Sequence, residues 1–188
     1  MIADQLKQIL PSASDTAISV FLPHLNTYMP QYNINTPQRI GAFLANVGVE
    51  SWDLKYTTEL ASGAEYEGNK GLGNDYPGDG ARFKGRGLLQ ITGRDVYKAC
   101  SLALFKDLRL EANPAIVATP QYAVQSACWF WNDYKHINPT CDNPEDWIKN
   151  GLHGYNKFQW ICVLVNGGLN DYAARLLNYE RARKVLNF

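Results

Sequence analysis

Thr36-Pro37-Gln38-Arg39-Ile40-Gly41-Ala42-Phe43-Leu44-Ala45-Asn46-Val47-Gly48-Val49-Glu50-Ser51 is the stretch that decides the fold of this chain. Thr36 offers a side-chain oxygen to the free N–H groups of a starting helix. Pro37 already holds the backbone angle of a first helical residue. Ile40, Phe43, Leu44 and Val47 then recur on one face of a 3.6-residue helix. Extending that pattern puts Glu50 about one turn beyond Val47. The helix therefore presents a carboxylate at its C-terminal end, beside its apolar stripe.

Outward from this helix most of the chain reads as more helix. Residues 2 to 10 form a short one stopped by Pro11. Ser12 or Ser14 caps a second through Ile18, Phe21, Leu22 and Leu25, which Pro23 should kink or split. Six glycines between Ser62 and Gly80 predict a loop. Phe83 to Thr92 predicts a short strand or hairpin, bent at Gly85 and Gly87. Gly93 onward is helical through Val96, Tyr97, Cys100 and Leu104. Pro120 opens a helix carrying Tyr122, Val124, Ala127, Cys128 and Trp131, and residues 132 to 143 read as a polar connection. Pro144 begins a short helix with Trp147 and Ile148. Phe158 to Val165 is an apolar helix closed by Asn166-Gly167-Gly168. Tyr172 to Leu186 is the last, with Leu176, Leu177, Val185 and Leu186 expected inward. The predicted architecture is mainly α, a single domain over residues 1–188, with a small β-hairpin element.

Composition narrows the function. Lys plus Arg equals Asp plus Glu at 18 each, so the net charge is zero. Neither a phosphate-tracking nucleic-acid binder nor a polybasic membrane surface is expected from such a balance. Hydrophobic residues at 46% supply a sizeable core. Eleven Tyr and five Trp include rings expected to line a sugar cleft, where apolar ring faces meet CH-rich sugar faces. No stretch is apolar for long enough to span a bilayer, and the first ten residues lack the form of a signal peptide. The expectation is a chain made in the cytoplasm. Cys100, Cys128, Cys141 and Cys162 lack CxxC spacing and are expected as free thiols. His24, His136 and His153 are scattered, so no metal site is expected. Gly71-Leu72-Gly73 lacks the Gly-Lys-Ser/Thr ending of a phosphate loop, and no Gly-x-Ser-x-Gly elbow is present.

A second carboxylate, Glu59, lies in Thr57-Thr58-Glu59-Leu60. Glycoside hydrolysis uses one carboxylic acid to protonate the leaving oxygen and one carboxylate to activate water or attack. Glu50 follows an apolar helix face and has Trp52 two residues on, a setting that penalises the charged form and suits a proton donor. Glu59 has a polar setting that keeps a carboxylate ionised. Eight loop residues between them are enough to span the roughly 6.5–9.5 Å an inverting enzyme needs.

The motifs carry a resemblance. Ala45-Asn46-Val47-Gly48-Val49-Glu50-Ser51 resembles the general-acid helix of family 19 chitinases and related phage endolysins. Thr57-Thr58-Glu59-Leu60 resembles their second-carboxylate segment. Leu72-Gly73-Asn74 and Gly78-Asp79-Gly80-Ala81-Arg82-Phe83-Lys84-Gly85-Arg86-Gly87-Leu88-Leu89-Gln90-Ile91-Thr92-Gly93 resemble their most specific signature. Val165-Asn166-Gly167-Gly168, with Arg175 and Tyr179 beyond, resembles their final segment. The likeness runs in order from about residue 37 to the C-terminus.

The resemblance implies a lysozyme-like, two-lobed helical domain with a cleft between the lobes. It implies Glu50 as general acid, Glu59 as general base, and Thr92 as the hydroxyl that helps position water. Gln90 and Asn166 fall where the family has sugar-contacting amides. Tyr97 falls at an aromatic of the cleft floor, and Arg175 at a cation near the acid. Arg86 is expected to brace the loop. Two positions depart from the pattern: Val49 stands where many relatives have His, and Val96 where many have Asn. A catalytically inactive glycan-binding relative is the competing class, and it would be expected to have lost one of Glu50, Glu59 and Thr92. The resemblance thus implies an inverting, cofactor-free glycosidase that cuts β-1,4 bonds in peptidoglycan, with chitin as the alternative substrate. The enzyme is expected to act as a monomer, on the cell wall, after release from the cytoplasm.

Overall fold

The computed structural model describes residues 1–188, apart from the side chain of Leu152. Ten α-helices follow in order among the described residues: α1 Ala3–Ile9, α2 Asp15–Gln31, α3 Pro37–Ser51, α4 Asp79–Arg82, α5 Arg94–Phe105, α6 Arg109–Ala112, α7 Pro120–Trp129, α8 Asn138–Cys141, α9 Lys157–Asn166 and α10 Tyr172–Leu186. None is long and apolar enough to cross a membrane.

Helix α3 begins where the sequence marks it, with the Thr36 hydroxyl accepting from the Arg39 N–H at 3.3 Å. Its burial goes beyond one face: Gly41 through Gly48 and Ser51 are all buried. The apolar stripe alone does not explain this. Two glycines one heptad apart do. A Cβ on Gly41 would lie 2.6 Å from the Phe188 ring, and one on Gly48 would lie 2.5 Å from Leu10 Cδ2 and 2.6 Å from Asn178 Nδ2. Small residues thus let α1, α10 and the C-terminus close on α3. Helix α3 packs chiefly on α10 and also touches α8 and α9, while α5 packs on α6 and α7. Helix α2 joins the two groups by touching both α1 and α7.

This close approach predicts that Gly48→Ala is destabilising. Overpacking costs about 1–3 kcal/mol, against a helix-propensity gain of up to about 1 kcal/mol. A lower urea midpoint checks it, and an unchanged midpoint would contradict it.

Several elements differ from the sequence expectation. Pro23 does not split α2, which runs through both Pro23 and Pro30. Its face of Ile18, Phe21, Leu25 and Met29 stays buried in register, and α7 packs along it. Ser14, rather than Ser12, caps it, accepting from Ala17 N–H at 3.0 Å.

The expected hairpin is reduced to paired bridges. Arg86 exchanges both backbone hydrogen bonds with Ile91, at 3.2 and 2.9 Å, and Thr58 bridges Arg86 from the other side. The polar connection after residue 132 carries structure. Helix α7 widens into a π-turn over Phe130–Tyr134, and α8 follows. Fully buried Trp131 needs an acceptor for its indole N–H and finds Asn138 Oδ1 at 2.9 Å.

The helix expected at Pro144 is absent. Buried Lys157 instead takes the Asn143 carbonyl at 3.0 Å and the Glu145 carboxylate at 2.5 Å. Ile148 pairs with Asn156 in an isolated bridge. In α10 the buried face belongs to Arg175, Asn178, Tyr179 and Ala182; Leu176, Val185 and Leu186 pack half-buried against the core as expected, and Leu177 is exposed. The four cysteines are buried free thiols, and burial pushes the Cys141 and Cys162 thiols up to about 12.

Candidate active site

Glu50 leaves the last turn of α3 on the side of one open cleft of about 330 Å³, which also takes in Glu59, Gln90 and Thr92. Local backbone explains how each reaches it. After Ser51 the chain turns through three successive left-handed residues: Trp52 at φ 51°, Asp53 at 53° and Leu54 at 66°. Such conformations cost about 1–2 kcal/mol each for residues other than glycine. The turn is held by the Asp53 N–H on the Gly48 carbonyl at 2.7 Å and the Leu54 N–H on Ser51 Oγ at 2.9 Å. Leu54 itself is buried in the core. The turn leaves Trp52 70% exposed at the cleft edge, with Tyr56 in edge contact.

One Glu50 oxygen is taken. Arg175 NH2 donates to Oε1 at 2.5 Å, NH1 donates to Asn46 Oδ1 at 2.9 Å, and Nε donates to the Asn170 carbonyl at 3.1 Å. The guanidinium is buried, and each of its three nitrogens makes one of these bonds. Asn46 lies one turn before Glu50 on α3, and its own amide donates to the Ala42 carbonyl at 2.9 Å. The expected apolar surround of Glu50 is therefore an ion pair on one side. Among the described residues the other oxygen, Oε2, has no side-chain or backbone partner.

Glu59 sits in the bridged segment. Its Oε2 accepts from the Gly85 N–H at 2.9 Å, and its Oε1 accepts from the Tyr66 hydroxyl at 3.1 Å. Both are acceptor roles suited to a carboxylate. Burial, then the neighbouring Glu59 charge, push the Tyr66 hydroxyl up to about 12, so it stays a donor at neutral pH. A Cβ at position 85 would lie 2.7 Å from Gln90 Oε1 and 3.2 Å from Glu59 Oε2, so a side chain there would push both cleft residues aside.

Thr92 donates its hydroxyl proton to the Gln90 carbonyl at 2.9 Å. Toward the cleft it is therefore an acceptor. The Gln90 amide donates to the Gly87 carbonyl at 2.7 Å, and its oxygen lies against Gly85.

Tyr66 has no sequence signal of its own; the glycine-rich loop brings it in. Asn74 ties the loop down, its amide donating to the Tyr66 carbonyl and its oxygen accepting from the Arg94 N–H, each at 2.9 Å. Arg94 also forks onto Asp79 at 2.5 and 2.9 Å, pairs with Glu111, and lies 4.6 Å over the Phe83 ring.

One of the expected contact residues is placed elsewhere. Tyr97 is fully buried, with its hydroxyl donating to the Lys84 carbonyl at 2.8 Å and accepting from Arg86 at 3.0 Å. It lies beneath the loop, where it and Arg86 act as braces rather than as a floor for sugar. Asn166 is bound locally, its oxygen accepting from the Gly168 N–H at 2.9 Å. Arg175 stands at Glu50, where the resemblance implies a cation. Tyr66, Asn46 and Trp52 are the site residues that sequence reasoning did not assign.

The comparisons fit this arrangement. A family profile described as chitinase class I, glycoside hydrolase family 19, matches residues 25–169. A Haemophilus influenzae protein described as containing a glycosyl hydrolase family 19 domain is 30% identical over 122 residues, covering 65% of this chain and 52% of its own length. An acidic endochitinase of Solanum chilense is 32% identical over 98 residues, or 47% of this chain and 38% of that protein. The chain thus spans about half or less of these curated relatives. Among solved structures, chitinase C of Streptomyces griseus aligns over 99% of this chain and 76% of its own, with TM-score 0.67 and 20% identity. The class IV chitinase of Zea mays aligns over 97% and 90%, with TM-score 0.68 and 21% identity. At such identities the structural likeness speaks for the fold alone.

Proposed function

The chain belongs to glycoside hydrolase family 19, and from that premise we propose that it hydrolyses β-1,4 bonds between N-acetylated amino sugars with inversion at the anomeric carbon. The observation that carries this reading is the meeting of Glu50, Glu59 and Thr92 in one cleft. Glu50 is the acid. Arg175 fixes its Oε1, so the transferable proton sits on the unpartnered Oε2, and the same guanidinium stabilises the carboxylate left after transfer. Glu59 is the base. A water that donates one hydrogen to Glu59 and the other to Thr92 Oγ1 has its lone pair free to attack the sugar carbon. Gly85 and Tyr66 hold Glu59 in place for that water.

Thr92→Val keeps the shape and removes the acceptor. It is expected to lower kcat about 10-fold to 100-fold, the worth of one hydrogen bond to a reacting group, with KM little changed. Thr92→Ser is expected to restore most of the rate.

Peptidoglycan is the substrate we favour. The cleft is open, and its edge carries exposed Trp52 and Leu60, which leaves room for a glycan bearing bulky substituents. A second reading, chitin, rests on the matched plant relatives being endochitinases. Proton NMR of the first-formed anomer tests the stereochemistry, and initial retention would overturn inversion. Mass spectrometry of fragments from peptidoglycan and from a chitin oligomer identifies the substrate and the bond.

A further inference from the structure

A second cavity of about 370 Å³ lies beside the cleft, between the end of α3 and α10. Trp52 walls both. The cavity therefore continues the cleft across one exposed indole, next to the acid. Its centre is apolar, with Val49, Trp52, Ala174 and Leu177. Its α10 wall ends in two charges of opposite sign, and on the facing turn Asp53 accepts from the Ser12 N–H at 3.0 Å. Asp171 is exposed and makes no ion pair among the described residues. Arg181 donates only to Asn178 Oδ1, at 2.9 Å, and likewise forms no ion pair among them. Residues 171, 174, 178 and 181 recur on one side of the helix. Ten residues of chain, all but the first in α10, set the two charges about 15 Å apart along the helix. A plain amino-sugar polymer is uncharged and has no use for either group.

We infer that this cavity is an accessory subsite for the short charged peptide carried on the sugars of a cell-wall glycan. Its terminal carboxylate meets Arg181, the side-chain ammonium of its third residue meets Asp171, and its alanine methyl groups lie against Leu177 and Trp52. The inference rests on the glycosidase reading and adds the peptide-bearing substrate to it.

The probe is the tetrapeptide N-acetyl-L-alanyl-D-isoglutamyl-L-lysyl-D-alanine, whose blocked N-terminus matches the sugar-linked peptide, titrated into the whole protein by NMR. The Trp52 indole and α10 amide signals are expected to shift in a saturable way. The double variant Asp171→Asn/Arg181→Gln is expected to weaken this binding at least about tenfold, the scale of one charged hydrogen bond; Asn accepts the left-handed backbone of Asp171. The same variant should raise KM on intact peptidoglycan by a similar factor, and leave kcat and KM unchanged on the same glycan stripped of peptides by an amidase. Absence of saturable shifts, or equal impairment on both glycans, overturns the subsite. Saturable binding lost in the double variant, with the wild-type protein inactive on both glycans, supports the subsite and sinks the glycosidase reading instead.

Discussion

Glu50→Gln is expected to lower kcat by about 10²–10⁴-fold, the usual worth of a positioned acid. The amide keeps the size of the carboxyl, and its oxygen still accepts from Arg175. What disappears is the proton on the atom that faces the cleft. Folding should survive, because the Glu50 side chain is 18% exposed at the cleft wall rather than sealed in the core. KM should change little, since the lost interaction is made in the transition state. Single-turnover cleavage of a defined glycan oligomer, alongside a thermal melt, separates the two effects. Wild-type turnover by a folded variant would place the acid elsewhere.

Arg94→Met is expected to have the largest effect on stability. Asp79 is 2% exposed and has Arg94 as its bidentate partner, with the Tyr76 N–H at 3.1 Å as its other donor. Removing the guanidinium strands a buried charge, at a cost of about 3–5 kcal/mol out of a typical total of 5–15. Arg94 is itself 20% exposed, which favours the lower end.

The pH dependence separates this cause from lost packing. In the wild-type protein the Arg94 hydrogen bonds hold the Asp79 carboxyl below the usual range. That stability is complete above the unfolded value of about 3.9, and it is lost as the pH falls through the lower folded value. In the variant, protonation relieves the stranded charge instead. The gap between the two proteins in urea unfolding should narrow as the pH drops toward 3. A gap of constant size would mean that only the stacking of Arg94 on Phe83 had been lost. Because this cluster also ties down the loop that carries Tyr66, the variant should lose part of its activity below its melting temperature.

How far the sequence reached depended on how local each signal was. Helix α3 was legible because its cap, its first proline and its apolar period all lie within sixteen residues. Glu50 was legible as the carboxylate at its end. Pro23 misled because a proline removes one hydrogen bond, whereas burial of four side chains against α7 outweighs it. The helix predicted at Pro144 is replaced by a long-range contact: a lysine thirteen residues on takes the Asn143 carbonyl, which a helix starting at Pro144 would have used for its first bond. Tyr97 shows the limit most plainly. An aromatic at that place in a helix reads the same whether its ring faces sugar or core, and only the loop folded above it decides.

The sequence by itself determined the helical class and the start of α3, and through its family resemblance it singled out the two carboxylates and the Thr92 hydroxyl. Tertiary structure alone decided that Arg175, 125 residues downstream, pins one oxygen of Glu50 and leaves the other free. It also decided that Tyr66 holds Glu59, and that Trp52 stands between two cavities. Caps, turns and periodicity act over one or two helical turns and are written in neighbouring residues. Which charge meets which across the fold depends on how closely two glycines let α1, α10 and the C-terminus approach α3, and no local pattern carries that distance.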